Sequence, residues 1–249
     1  MTDRHRRFAE LHVPGDPLVL VNIWDAGSAA AVAKAGAKAL ATGSASVAGA
    51  QGYADGQDLP LDRALDTIAR IAATTDLPVS LDFEGGYATD PETLARNAAA
   101  IVETGAVGIN FEDQVIGGTG LHDTGTQSAR IRAIRDGAGA PLWINARTDI
   151  FLQAPQDTHD PAMIDTALAR AEAYARAGGD SFFAPGLRAP ELIARLCARS
   201  PLPVNIMVAP GMATRAELAA CGAARLSHGP FPWRAAMAAL TQAATDAMA

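Results

Sequence analysis

The 249-residue chain is 49% hydrophobic and carries 20 basic against 27 acidic side chains, a formal net charge of −7. That apolar share suffices for one large core, and an acidic balance without any basic run argues against a nucleic-acid-binding face. No apolar run approaches the roughly 18 residues of a membrane span, and the charged start MTDRHRRFAE lacks the apolar stretch of a signal peptide.

In chain order, LVLVNIWDAG (18–27) reads as a strand, with Asp25 placed to cap a helix over 28–35 through Ser28. AGAKALAT (35–42) is the second strand, and an alanine-rich helix follows over 61–74. LPVSLDFE (77–84) is the third, opened by a proline and ending in two carboxylates. Asp90 before Pro91 starts a helix over 91–103, and TGAVGINFE (104–112) is the fourth strand. A Gly/Thr-rich loop over 116–125 precedes a helix at 127–137 and the fifth strand, APLWINARTD (140–149). Asp160 before Pro161 starts the helix at 161–177, which leads into AGGDSFFAP (177–185). A helix at 190–199, the strand LPVNIMVAP (202–210), a helix at 215–220 capped by Thr214, the strand CGAARLSHG (221–229) and a helix at 230–248 complete the series. Gly36, Gly105, Gly178 and Gly222 stand where left-handed helix ends need no Cβ.

Eight strand–helix alternations with continuously apolar strands predict a (β/α)8 barrel built as one domain over 1–249. An open, doubly wound sheet is the runner-up. Cys197 and Cys221 have no metal-ligand spacing and fit a reduced, cytoplasmic protein, with a disulfide between them left open.

In such a barrel, chemistry sits at the C-terminal strand ends. Polar residues collect there: Asn22, Trp24 and Asp25; Ser44; Asp82 and Glu84; Asn110, Glu112 and Asp113; Asn145, Arg147 and Asp149; Asn205; Ser227 and His228. Side chains alternate along a strand, so Asp82 and Glu84 share a face, as do Asn110 and Glu112. Three carboxylates, Asp82, Glu84 and Glu112, then converge from neighbouring strands, a donor set suited to Mg2+ or Mn2+; without a His/Cys cluster, zinc is disfavoured. Asp82 and Glu84 read alternatively as salt-bridge partners of Arg147, whose guanidinium can grip a substrate carboxylate in two places. Asn145 and Asn205 point inward by parity, toward substrate or a metal-bound water. Trp24 and Tyr53 read as pocket lining or as packing. Asp113 and Asp149 read as partners of basic neighbours.

SLDFEGGYA, GAVGINFEDQ, INARTDIF and WDAGSAAAVAKAGAKALATGSASVAGAQGYADGQ resemble, each at its expected place along the chain, signatures of the isocitrate lyase/phosphoenolpyruvate mutase superfamily. The resemblance implies a barrel assembled as a homo-oligomer, dimer or tetramer, with the C-terminal helix exchanged between subunits. It implies Mg2+ (or Mn2+) on Asp82 directly and on Glu84 and Glu112 mainly through water. It implies a small 2-oxo carboxylate held by Arg147 and by the backbone at Gly43, Ser44 and Ala45, and a functional aspartate at Asp55 on a gating loop. The sequence departs from the family in two places. The loop VIGGTGLHDTGT (115–126) lacks the Lys-Lys-Cys-Gly-His of the true lyases and the Lys and Asn of the mutases, and Gly43 stands where mutases have serine.

The leading expectation is therefore a Mg2+-dependent carbon–carbon lyase that works through an enolate, most simply an oxaloacetate decarboxylase. Phosphonopyruvate-type mutase or hydrolase, 2-methylisocitrate lyase-like enzyme and non-enzymatic oxo-acid-binding protein are the alternatives. Proton transfer falls to His228 on the last strand or His122 in the loop. His5, His12 and His159 read as structural.

Overall fold

The structure, a computed structural model, describes residues 2–249. The expected barrel is present. Its strands are β1 (Leu18–Leu20), β2 (Asn22–Ile23), β3 (Leu40–Thr42), β4 (Val79–Asp82), β5 (Gly108–Glu112), β6 (Trp143–Arg147), β7 (Ser181–Phe183), β8 (Val204–Met207) and β9 (Arg225–Ser227). All neighbours run parallel, in the order β1-β9-β8-β7-β6-β5-β4-β3-β2. β1 and β2 are one run of chain interrupted at Val21. The first half pairs with β9 (Leu18↔Arg225) and the second with β3 (Asn22↔Ala41), so the interruption lets eight strands close the ring.

The helices are α1 (Asp3–Glu10), α2 (Ala26–Lys34), α3 (Ser44–Ala50), α4 (Leu61–Ala73), α5 (Pro91–Glu103), α6 (Thr124–Gly137), α7 (Pro161–Ala177), α8 (Pro190–Arg199), α9 (Arg215–Ala220) and α10 (Phe231–Met248). Their start signals act as expected. Asp25 and Ser28 form a reciprocal capping box, and Asp90, Asp160 and Thr214 each accept an N–H from the first turn. α7 buries Ile164, Ala167, Leu168, Ala171 and Tyr174 at helical spacing and stops at Gly178, whose φ is 104°. Each large aliphatic side chain buried in this way contributes about 1.5–3 kcal/mol.

Two helices are additional to the expected series: α1, which starts at a Thr2 cap, and α3, which has no side-chain cap. α1 is mostly charged and buries a single side chain, Phe8. Phe8 closes the N-terminal end of the barrel against Leu18, Leu20, Ala39, Ala41 and Val107, while His12 stacks on Trp143 with ring centroids 4.4 Å apart. α3 consists of small residues after Gly43 and has no apolar stripe. Cys197 and Cys221 are free thiols. Among the described residues no helix is long and apolar enough to cross a membrane.

Candidate active site

A cavity of about 220 Å3 opens at the C-terminal ends of the strands. One part of its wall is polar, with Ser44, Asp55, Asp82, Asn110 and Arg147; another is formed by Leu152, Phe183, Pro185 and Met207. Asp82 ends β4 and is fastened from two sides. Its backbone N–H donates to Thr42 Oγ1 at 2.9 Å, and its Oδ2 accepts the Ser44 amide at 2.9 Å. Oδ1 has one long contact, from Asn110 Nδ2 at 3.4 Å.

Glu84 reaches the neighbourhood by another route than strand alternation. β4 ends at Asp82, and Glu84 sits in a left-handed turn with φ 50°. Its Oε2 accepts the amides of Gly56 and Gln57, and its Oε1 accepts the Tyr87 hydroxyl. The turn continues through Gly86, where φ is 83° and a Cβ would lie 2.4 Å from Leu94 Cδ2, so only glycine fits. Arg130 secures the same turn by donating to the Gly85 and Ala88 carbonyls.

Glu112, buried at the end of β5, meets Arg147 Nη1 at 2.7 Å. Arg147 Nε and Nη2 hold the two oxygens of Asp149. The basic partner expected for Asp149 is thus Arg147, and Arg147 pairs with Glu112 rather than with Asp82 or Glu84. These three contacts use three of the five guanidinium N–H groups and leave two for a ligand. Burial alone would lower the Arg147 pKa, yet Glu112 and Asp149 hold it above its ordinary value.

Among the described residues no three His, Cys, Asp or Glu side chains close on one point as direct metal ligands. The donor set still fits a hard cation reached partly through water. Burial, followed by the charges of Asp82 and Asp55, pushes Glu84 up to about 7. Burial pushes Glu112 up to about 8, with Arg147 pulling it down and Asp149, Asp82 and Glu84 adding to the rise. Crowded carboxylates with raised pKa values mark negative charge that a divalent cation would neutralise, and every donor is oxygen.

A polar network lies beneath the cavity. Trp143 Nε1 donates to Ser181 Oγ, Ser181 to Asn145 Oδ1, and Asn145 Nδ2 to Asn110 Oδ1. Arg225, fully buried, adds a second donor to Asn110 Oδ1 at 3.0 Å, which orients the Asn110 amide group toward Asp82. Burial lowers the Arg225 pKa to about 9, partly offset by Asp82. The sequence reading missed Arg225. Arg225 lies two residues before Ser227 on the same strand face, a spacing that the sequence reading did not use on this strand.

The family profile described as phosphoenolpyruvate phosphomutase matches residues 8–248. This chain belongs to that family. Within it, a crystal structure from Burkholderia cenocepacia J2315, provisionally assigned as a phosphonomutase, is 47% identical, covers 98% of each chain and superposes with a TM-score of 0.96. An uncharacterized protein of Mycobacterium tuberculosis is 34% identical over 95% of this chain and 87% of its own length. The 2-methylisocitrate lyase of Escherichia coli K12 is 28% identical over 70% of this chain and 62% of its own. The family profile and the 2-methylisocitrate lyase relative place the chain in the isocitrate lyase/phosphoenolpyruvate mutase superfamily. A crystal structure of a phosphonopyruvate hydrolase in complex with oxalate and Mg2+ shares the fold, with a TM-score of 0.84 over 97% of this chain and 85% of its own at 19% identity.

Of the residues that the family resemblance implied, Gly43, Ser44, Ala45, Asp55, Asp82 and Arg147 line the cavity together. Ala45 is the second residue of α3, where an N–H has no intrahelical acceptor. Seven expected site residues do not line it: Glu84 and Glu112 lie behind the wall, in the contacts described above, and five others are placed elsewhere. Asn145 and Asn205 are inward but lie in the network below, the latter paired with Ser227. Trp24 packs against the cluster of Val47, Ala48, Leu59 and Ala64, because β2 ends at Ile23 and the chain turns into the Asp25 cap. His228 comes just after β9 ends at Ser227 and does not line the cavity; its N–H donates to Asn22 Oδ1 at 2.9 Å, and its Nδ1 meets the Leu20 carbonyl. His122 is tied by its backbone to Asp113 and Arg170 in the loop after β5. Asp113 is not a cavity residue either: it pairs with Arg170 and Tyr174, the former being the basic neighbour expected of it.

Proposed function

We propose that this protein is a divalent-metal-dependent carbon–carbon lyase for a small 2-oxo dicarboxylate, most simply a decarboxylase of oxaloacetate. The observation that carries the reading is the cavity lining: a carboxylate group centred on Asp82 together with two guanidinium groups, Arg147 from β6 and Arg234 from α10, in a space of about 220 Å3. That volume suits a small acid, and two cations suit two carboxylates. Asp82, with Glu84 and Glu112 behind it, would hold Mg2+, which would supply polarisation of the 2-oxo group and charge neutralisation.

The chain's own groups do the rest. The two free Arg147 donors bind and orient the 2-oxo acid carboxylate, and the backbone at Ser44 and Ala45 borders the same end. Leu152, Phe183, Pro185 and Met207 exclude water from the far wall. With His122 and His228 away from the cavity, Asp55 is the side chain we assign to proton transfer at the reacting carbon. The test is pyruvate release from oxaloacetate by purified protein with Mg2+. A rate no higher than that of the metal alone ends the reading. Asp82→Ala should abolish both this activity and the Mg2+-dependent thermal shift given by oxalate; a fully active variant would sink the metal assignment.

A phosphonopyruvate-type reaction is the second reading, supported by the 47% identity to the Burkholderia protein. Phosphonopyruvate in the same assay separates the two. A lyase mechanism that needs a loop thiol has no support, since no cysteine lines the cavity.

We also infer a homo-oligomer that exchanges α10. None of the 18 residues of α10 is buried, and Leu240 is 62% exposed. A groove of about 570 Å3 between the chain before β1, α2 and Arg215 of α9 lies where a closing helix of the barrel would pack. The α10 of a second copy fits that position.

A further inference from the structure

The segment that carries Asp55 is attached to the barrel by one polar contact. Residues 54–56 and Asp58 are exposed. Within the segment, the Ala54 amide donates to Asp58 Oδ2. The hydrogen bonds that 54–58 make to the rest of the described chain are two: Gly56 N–H at 3.0 Å and Gln57 N–H at 2.8 Å, both to Glu84 Oε2. Tyr87 donates its hydroxyl to the other oxygen, Oε1, at 3.1 Å.

Backbone strain is concentrated at the same contact. Among the described residues three non-glycine positions have positive φ: Gln57 at 65°, Glu84 at 50° and Tyr87 at 56°. All three are partners in this one contact. Left-handed backbone at such residues persists only where surrounding interactions impose it, and it gathers at functional sites. Gly56, at φ 93°, completes the turn that brings two successive N–H groups onto one oxygen, an arrangement suited to holding an anion. With Oε2 shared by two amides and Oε1 by a hydroxyl, the Glu84 carboxylate is largely committed to this contact.

We propose that Glu84 is a positioning residue: its carboxylate latches the 54–58 segment and so fixes Asp55 at the cavity wall, with Tyr87 holding the carboxylate in place. The role given to Asp55 rests on the lyase reading above; the latch itself does not.

Amide hydrogen exchange in the metal-free, full-length protein tests the latch without any substrate. Glu84→Asp keeps the charge and shortens the arm by one methylene. Exchange at Gly56 and Gln57 should then speed at least tenfold, while the α5 and α7 amides are unchanged. Tyr87→Phe, which leaves the carboxylate intact, should speed the same two amides by a smaller factor. Unchanged exchange at Gly56 and Gln57 in Glu84→Asp overturns the latch. If oxaloacetate is not a substrate but the two amides still respond, the lyase reading fails and the latch stands.

Discussion

Arg147 and Asp149 form a two-pronged pair at the end of β6, with Nε to Oδ1 at 2.6 Å and Nη2 to Oδ2 at 2.8 Å. Asp149 is fully buried, so it sets the plane of the guanidinium and with it the direction of the two free donors. Breaking a buried pair on one side costs about 3–5 kcal/mol. Asp149→Asn should therefore lower the melting temperature and weaken Mg2+-dependent oxalate binding at least tenfold by calorimetry. Arg147→Lys should not restore binding, because an ammonium lacks the planar fork. Wild-type oxalate affinity in Asp149→Asn would show that Asp149 does not orient the arginine.

His12 makes stability sensitive to acid. Burial first, then the nearby Arg225 charge, lowers its pKa to about 3, against a smaller upward pull from the Phe8 carbonyl. The folded protein holds His12 neutral, whereas the unfolded chain takes up its proton near the ordinary histidine value of 6.5. The unfolded state binds more protons between these limits, so stability falls as pH drops from 6.5 toward 3. The loss is on the order of 4 kcal/mol. Urea melts of wild type and His12→Phe across this range should diverge, with the variant less dependent on pH. Parallel curves would mean that His12 does not control acid lability.

Two glycines with similar φ separate strain from space. Gly52 has φ 82° and open space within 4 Å of the position a Cβ would take, whereas at Gly86 a Cβ would meet Leu94 Cδ2 at 2.4 Å and Phe111 Cε2 at 2.9 Å. Gly52→Ala should cost about 1–2 kcal/mol, the left-handed penalty alone. Gly86→Ala should cost about 3 kcal/mol or more, because overpacking adds to it. Equal melting temperatures for the two variants would contradict the packing described around the turn.

Exchange of α10 predicts a mass that depends on that helix. Leu240, large and 62% exposed, lies on a helix with no buried residue. Leu240→Glu should shift the protein to smaller species in size-exclusion chromatography with light scattering. An unchanged mass would place the assembly contacts elsewhere.

Much of this was legible in the sequence because the signals are local. Asp90-Pro91, Asp160-Pro161 and the glycines at 36, 105, 178 and 222 act within one turn of chain, and the structure places helix ends at each of them. Asp82 was found by its position at a strand end. α3 was not seen, because SASVAGA has neither an apolar stripe nor a side-chain cap; its start is defined by Gly43. His228 was expected at the rim of the last strand, but it follows the end of β9 and does not line the cavity. Glu84 was placed by an alternation that stops at Asp82.

By itself the sequence determined the eightfold alternation, the end of the barrel where the polar residues gather, and the oxygen-rich, acidic character of the candidate site. Those properties follow from short-range preferences and the period of a strand. Only the tertiary structure decided which groups meet: Arg147 with Glu112 and Asp149, Arg225 beneath Asn110, and Glu84 with the amides of Gly56 and Gln57. Those pairings join residues up to 115 positions apart. They depend on strand register, on the closure of the ring at Val21 and on the turn after β4, which no local pattern encodes.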